Sequence, residues 1–262
     1  MSRRQIRTPR SQSLSQHRLR DDAVARRIVA STGLAPPALV VEAGAGDGIL
    51  TAAIARQASR VIAVEQDREC YATLRRRFRD EPRIQPVFGD FLAFQLPNRP
   101  YHMVANVPYS ITTAIMRKLL DAPQPPESAY LVMQREAAMR WTGDGGECVA
   151  GLLAKLRFEF EIVLALRRQD FVPWPRVSSV VLGIRRRPRP RLTPAEARAF
   201  GRFLDRGFGR GRDSLRQNIG RMGTSARFTS ATRNLAIDVD APPSAVSFEQ
   251  WLALFEQLER RR

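Results

Sequence analysis

The chain is poor in the residues that build metal centres and disulfide frameworks. Its 262 residues include two cysteines, Cys70 and Cys148, and two histidines, His17 and His102. Neither cysteine belongs to a CxxC pair or to any ligand spacing, so both read as free thiols of a reducing compartment. A histidine-based metal site is excluded, and no metal is expected. No apolar run approaches the roughly 20 residues needed to cross a bilayer, so no membrane association is expected. The first twenty residues contain no apolar core of a secretory signal, which points to a cytoplasmic protein. Lysine is nearly absent as well: 41 arginines stand against two lysines. Genome composition explains that exchange, but not the excess of base over acid.

The net charge is +17, and it is concentrated at the two ends. Residues 1–20 hold six arginines and no acid, and residues 185–262 hold seventeen arginines against eight acids. The intervening stretch is close to neutral. A balanced body with basic extremities suits a catalytic domain flanked by surfaces for a polyanion, nucleic acid above all.

Along the chain, residues 1–20 show no hydrophobic periodicity and are expected to form a mobile basic arm. Asp21 and Asp22 can cap a helix through Val24, Ile28 and Val29 that ends by Gly33. Strand-like and helix-like segments then alternate. Strands are expected over Ala38–Ala43, Val61–Glu65, Ile84–Phe88, Met103–Asn106 and Ala129–Met133. Helices are expected over Ile49–Gln57, from Asp67 to about Arg79, over Thr112–Asp121, and near Arg135–Trp141. That rhythm implies parallel βαβ units in a doubly wound sheet. After Cys148 the pattern becomes strand-rich, over Leu152–Leu166 and Val177–Ile184, as in an antiparallel hairpin closing a sheet edge. Prolines at 188, 190 and 194 mark Arg185–Pro194 as a linker, and from Ala195 the chain reads as a small basic helical domain. The expected division is an arm (1–20), a catalytic domain (21–187) and a helical, RNA-binding domain (188–262).

Chemistry gathers at the ends of the strands. In VVEAGAGDGILT, Gly44, Gly46 and Gly48 let the backbone turn sharply and approach a ligand. The helix that follows points its N–H groups at that ligand. Glu42 just before the turn would repel a pyrophosphate but suits a cationic cofactor. Glu65 ends the next strand, where a carboxylate can accept both hydroxyls of a ribose. Asp90 ends the third strand, in Gly89-Asp90-Phe91, within reach of an adenine amino group. A positively charged adenosine cofactor fits all three acids, and S-adenosyl-L-methionine is one. The fourth strand runs into Asn106-Val107-Pro108-Tyr109. The Asn106 side-chain oxygen and the Val107 or Pro108 carbonyl could hold the two hydrogens of an adenine N6, freeing its lone pair for attack on a methyl group. Pro108 stiffens the turn and Tyr109 offers a stacking face. Catalysis of this kind is mostly positioning. The loop Phe171-Val172-Pro173-Trp174-Pro175-Arg176 is framed by prolines and suits clamping a flipped base.

EAGAGDGILT, VEQD, GDF, NVPYSITT and FVPWPRVSS, followed by a basic helical tail, together resemble the ribosomal RNA adenine-N6 methyltransferases. The likeness is strongest to their Erm branch, whose members modify 23S rRNA and confer macrolide–lincosamide–streptogramin B resistance. The resemblance spans nearly the whole chain. It implies a Rossmann-like α/β methyltransferase sheet with a small C-terminal α-helical domain, acting as a monomer on an adenine of 23S rRNA that is flipped out or single-stranded. It also implies cofactor contacts at Gly44, Glu65, Asp90 and Asn106, and a base pocket of Asn106, Tyr109 and Phe171. The rival readings are the small-subunit rRNA dimethyladenosine branch, a non-catalytic rRNA-binding assembly factor, and a DNA adenine methyltransferase. NVPYS rather than NLPYN favours the Erm branch. The family's Gln-Asn-Phe-Leu appears here as Gln16-His17-Arg18-Leu19. Backbone contacts to the cofactor at His17 and Leu19 are compatible with that change, whereas the Asn and Phe side chains are replaced.

Overall fold

The computed structural model describes residues 17–209, 214–219 and 225–259. Most of the expected N-terminal arm, residues 1–16, lies outside the described residues. In chain order the elements are β1 (Arg18–Leu19), α1 (Asp22–Ala30), β2 (Leu39–Ala43), α2 (Ile49–Ile54), β3 (Arg60–Glu65), α3 (Arg68–Arg77), β4 (Ile84–Phe88), β5 (His102–Asn106), α4 (Thr112–Leu120), β6 (Ser128–Gln134), α5 (Arg135–Thr142) and α6 (Val149–Lys155). There follow β7 (Phe158–Leu166), β8 (Phe171–Val172), β9 (Ser179–Arg186), α7 (Pro194–Phe208), α8 (Leu215–Ile219), α9 (Ser225–Asn234) and α10 (Phe248–Leu258).

Seven strands form one sheet in the order β4-β3-β2-β5-β6-β9-β7. The first five run parallel, and β9 and β7 close the edge antiparallel, with Ser128 to Gln134 of β6 paired to Arg185 back to Ser179. Both faces are covered over the central strands β2, β5, β6 and β9, which are therefore apolar on both sides. Val41, Met103, Leu131 and Leu182 point to one face, where α4 packs through Ile115, Met116 and Leu119. Their neighbours Val40, Val104, Val132 and Val181 point to the other, against Val24 and Ile28 of α1 and Leu50 and Ile54 of α2. Asp21 and Asp67 cap α1 and α3 by accepting the N–H groups of Val24 and Cys70, as residues of that type do at helix starts.

Three expectations are corrected. Residues 17–20 are held, not loose: Arg18 and Leu19 pair with Val172 and Phe171 as a two-stranded ribbon, and the Arg20 N–H donates to the Asp170 carbonyl. The stretch from Leu152 is not strand until Phe158, because Val149–Lys155 is helical, with Cys148 Sγ accepting the Gly151 N–H. That helix joins a separate core in which Leu152 and Leu156 meet Phe200, Phe203, Trp251 and Phe255 of the C-terminal helices. Strand β9 also runs to Arg186, two residues into the expected linker. The C-terminal helices α7 and α10 start at capping boxes, Thr193 with Glu196 and Ser247 with Gln250.

Candidate active site

The chain leaves β2, moves outward to β3 and β4, and returns to the other side of β2 as β5. Beyond the carboxyl ends of β2 and β5 the connections diverge, which opens a crevice at the sheet's switch point. The glycine turn leaves β2 there and the Asn106 turn leaves β5. A cleft of about 820 Å³, counted to its open mouth, is lined there by Gly44, Gly46, Glu65, Asp90, Asn106 and Tyr109 among others. A smaller adjoining recess is bounded by Leu19, Glu42, Asp47 and Ile49, with Gly44, Gly46 and Asn106 on the shared wall.

The glycines divide by role. A Cβ on Gly44 or Gly46, both at positive φ, would stand in open space, whereas one on Gly48 would strike the Phe78 ring and Leu74. The first two therefore keep the cleft floor low for a ligand, and Gly48 lets α3 pack close. Glu65 Oε2 accepts the Gly46 N–H at 2.7 Å and its Oε1 accepts the Asp67 N–H at 2.7 Å. Each oxygen retains a second lone pair, so the carboxylate is oriented by the backbone and still able to receive a diol. Asp90 is exposed, with one oxygen holding the Leu92 N–H at 2.9 Å and the other left for the cleft.

Glu42 is fully buried, and its Oε2 accepts the Thr51 hydroxyl at 2.6 Å. Burial, with Glu65 nearby adding repulsion, pushes its carboxyl up to about 8, against the pull of the Thr51 hydroxyl. A cation bound in the recess would favour its ionised form.

Asn106 stands on the wall shared by cleft and recess. Its Nδ2 donates to the His17 carbonyl at 2.8 Å. The amide's donor side is thereby engaged by the residue just before β1, which fixes its orientation and leaves Oδ1 as the acceptor. Pro108 carries φ −58° into a single helical turn whose end it caps, its carbonyl accepting the Ile111 N–H and the Thr112 hydroxyl. Those bonds engage the Pro108 carbonyl within its own turn. The Tyr109 hydroxyl pairs with Ser179 Oγ at 2.6 Å, and burial raises its pKa against that bond. The ring lies 5.5 Å from the His17 ring, tilted by 41°.

Of the expected site residues, His17, Gly44, Gly46, Glu65, Asp90, Asn106, Pro108 and Tyr109 share the cleft wall, and Leu19 and Glu42 wall the recess. Phe171 is a correction. It is 0% exposed, in a core with Leu19, and does not line the cleft. Pairing of β8 with β1 turns its ring inward, while Trp174 in the same loop is exposed. The sequence reading missed Phe91 and Arg18. Phe91 follows Asp90 in the GDF motif and faces the cleft, with the Lys118 ammonium 5.7 Å from its ring. Arg18 donates to Cys70 Sγ and approaches Asp47 at 3.9 Å.

A Rossmann-like sheet with a low glycine floor, a carboxylate oriented by backbone N–H groups and a fixed amide at its switch point is that of an S-adenosylmethionine-dependent methyltransferase. The chain belongs to the ribosomal RNA adenine dimethylase family, whose profile matches residues 8–260. It is 38% identical over 252 residues to the rRNA adenine N-6-methyltransferase of Aeromicrobium erythreum, covering 95% of this chain and 74% of that protein. It is 36% identical over 255 residues to the ribosomal RNA small subunit methyltransferase A of Synechococcus sp. (strain JA-3-3Ab), covering 93% of this chain and 91% of the relative. The solved structure of the 23S rRNA methyltransferase ErmE superposes with a TM-score of 0.86 at 34% identity, covering 92% of this chain and 99% of that one.

Proposed function

We propose that the protein methylates N6 of an adenine in 23S rRNA, working as a monomer in the cytoplasm and protecting the ribosome from macrolide, lincosamide and streptogramin B drugs. The observation that carries the chemistry is the Asn106 amide, whose donor side is held by the His17 carbonyl. When bound, S-adenosylmethionine supplies an electrophilic methyl on a sulfonium. Gly44 and Gly46 give its methionine end room, Glu42 offers a countercharge, Glu65 orients the ribose and Asp90 receives the adenine amino group. His17 and Leu19 contribute through the backbone that closes the recess.

On the substrate side, Asn106 Oδ1 and the Val107 carbonyl hold the two hydrogens of the target N6. That pair of acceptors draws electron density back onto nitrogen and aims its lone pair along one line. Pro108 fixes the turn, and Tyr109, braced by Ser179, supports the base. Phe171 backs the β1–β8 ribbon and so holds His17 in place. The transferred proton needs no dedicated base, because a methylated ammonium is acidic. The division into arm, catalytic domain and helical domain fits this task. The basic ends take the phosphates, so affinity falls steeply with salt.

The 23S assignment rests on the likeness to the 23S rRNA methyltransferase ErmE. The Synechococcus relative, nearly as similar, supports a second reading on 16S rRNA in ribosome assembly. Primer extension on rRNA from cells expressing the protein separates them. A new stop at an adenine of 23S, with drug resistance, supports the proposal, and a stop confined to 16S overturns the assignment.

A further inference from the structure

Strand β8 and the loop that joins it to β9 hold three of the four large apolar side chains that are exposed among the described residues: Val172, Trp174 and Val177. Trp174 leads them at 64% exposure. The loop is braced and not slack. The Pro173 carbonyl accepts from His17 Nδ1 at 2.9 Å, and the Pro175 carbonyl accepts from Arg168 Nε at 2.8 Å. Downstream, the Ser178 carbonyl takes the Arg135 N–H, and Ser179 Oγ pairs with the Tyr109 hydroxyl. His17 and Tyr109 are themselves walls of the cleft. The indole therefore stands on a fixed stretch of chain tied at both ends to the base-receiving side of the active site. Arg167, Arg168 and Arg176 are exposed around it.

We propose that Trp174 is a subsite for the nucleobase adjoining the target adenine in single-stranded RNA. An adenine drawn into the cleft leaves its neighbour without a stacking partner. The exposed indole, carried on this braced loop, replaces that partner, and the three guanidinium groups receive the flanking phosphates. This rests on RNA being the substrate. It adds a contact outside the adenine pocket, made by a residue whose neighbour in the same motif, Phe171, is turned into the core.

The test uses the full-length protein and a short RNA with one target adenine. Trp174→Ala raises KM for the RNA by roughly 10- to 100-fold, from the usual worth of one stacked base. It leaves kcat within about threefold and the affinity for S-adenosylmethionine unchanged. Fluorescence gives a second readout. Of the three tryptophans, Trp251 is buried in the helical core and Trp141 is half-buried on Phe160, so RNA quenching of the wild type arises at Trp174 and is lost in Trp174→Phe. An unchanged KM in Trp174→Ala, or quenching that persists in Trp174→Phe, overturns the subsite. If the alanine variant does not fold, the phenylalanine variant and its fluorescence decide. A wild type that transfers methyl to no RNA refutes the substrate reading instead, and the quenching comparison still judges Trp174.

Discussion

Replacing Glu42 with glutamine removes one titrating proton from the floor of the cofactor recess. In the free protein the buried carboxyl titrates at about 8 instead of 4.5, so at pH 6 it is protonated. A sulfonium and an ammonium in the recess favour the carboxylate, and binding then releases that proton. Affinity for S-adenosylmethionine therefore rises with pH by up to tenfold per unit, about 25-fold between pH 6 and 7.5, and levels off above 8. The same raised pKa makes the free fold lose stability as pH climbs from 4.5 to 8, because the folded state holds the proton more tightly than the unfolded chain. That loss is at most roughly 5 kcal/mol. Glu42→Gln should show neither slope: its cofactor affinity is flat from pH 6 to 7.5 and its melting temperature falls less toward pH 8. Isothermal titration in two buffers of different ionisation enthalpy reads the released proton directly. A pH-independent wild-type affinity, or an unchanged rise in Glu42→Gln, would refute the reasoning.

Asn106→Ala should lower single-turnover methyl transfer by at least roughly 100-fold, the usual cost of losing one positioned polar group at a reacting atom, while changing cofactor affinity less than about tenfold. A rate within threefold of wild type would remove the amide from the chemistry. Gly46→Val puts a side chain into the open cleft at φ +58°; calorimetry should detect no cofactor binding, with a stability cost of about 1–2 kcal/mol. Lys155 and Glu147 form a buried pair where α5, α6 and the Ser244 segment meet. Lys155→Met strands the carboxylate and should cost about 3–5 kcal/mol in denaturant unfolding, much of it recovered when Glu147→Gln is added.

The parallel sheet was legible because its strands are short apolar runs separated by helical periods and turn residues. The convergence of Gly44, Glu65 and Asp90 on one cleft was equally legible, since each ends or follows a strand, and strand ends in a doubly wound sheet meet at one crevice. Asn106 could be placed the same way. What holds its amide could not, because the His17 carbonyl arrives from a strand paired to the distant Phe171. That pairing also decides which aromatic of the proline-framed loop faces outward; a motif fixes the position of Phe171 but not the direction of its ring. Helix α6 was misread for a related reason. Val-Ala-Gly-Leu-Leu-Ala-Lys is a short apolar run interrupted by Gly151, and its helix is settled by the Cys148 cap and by the packing of Leu152 and Leu156 into the C-terminal core. The raised pKa of Glu42 likewise depends on burial against Thr51 that no local pattern announces.

The most direct measurement uses purified protein, S-adenosylmethionine with a deuterated methyl group, and protein-free 23S and 16S rRNA. Nucleosides from each are then separated by mass spectrometry. The account predicts label on N6 of adenosine from 23S rRNA, and its loss in Asn106→Ala. Label on a ring nitrogen, on a ribose hydroxyl or on another base, or equal labelling by Asn106→Ala, would contradict it.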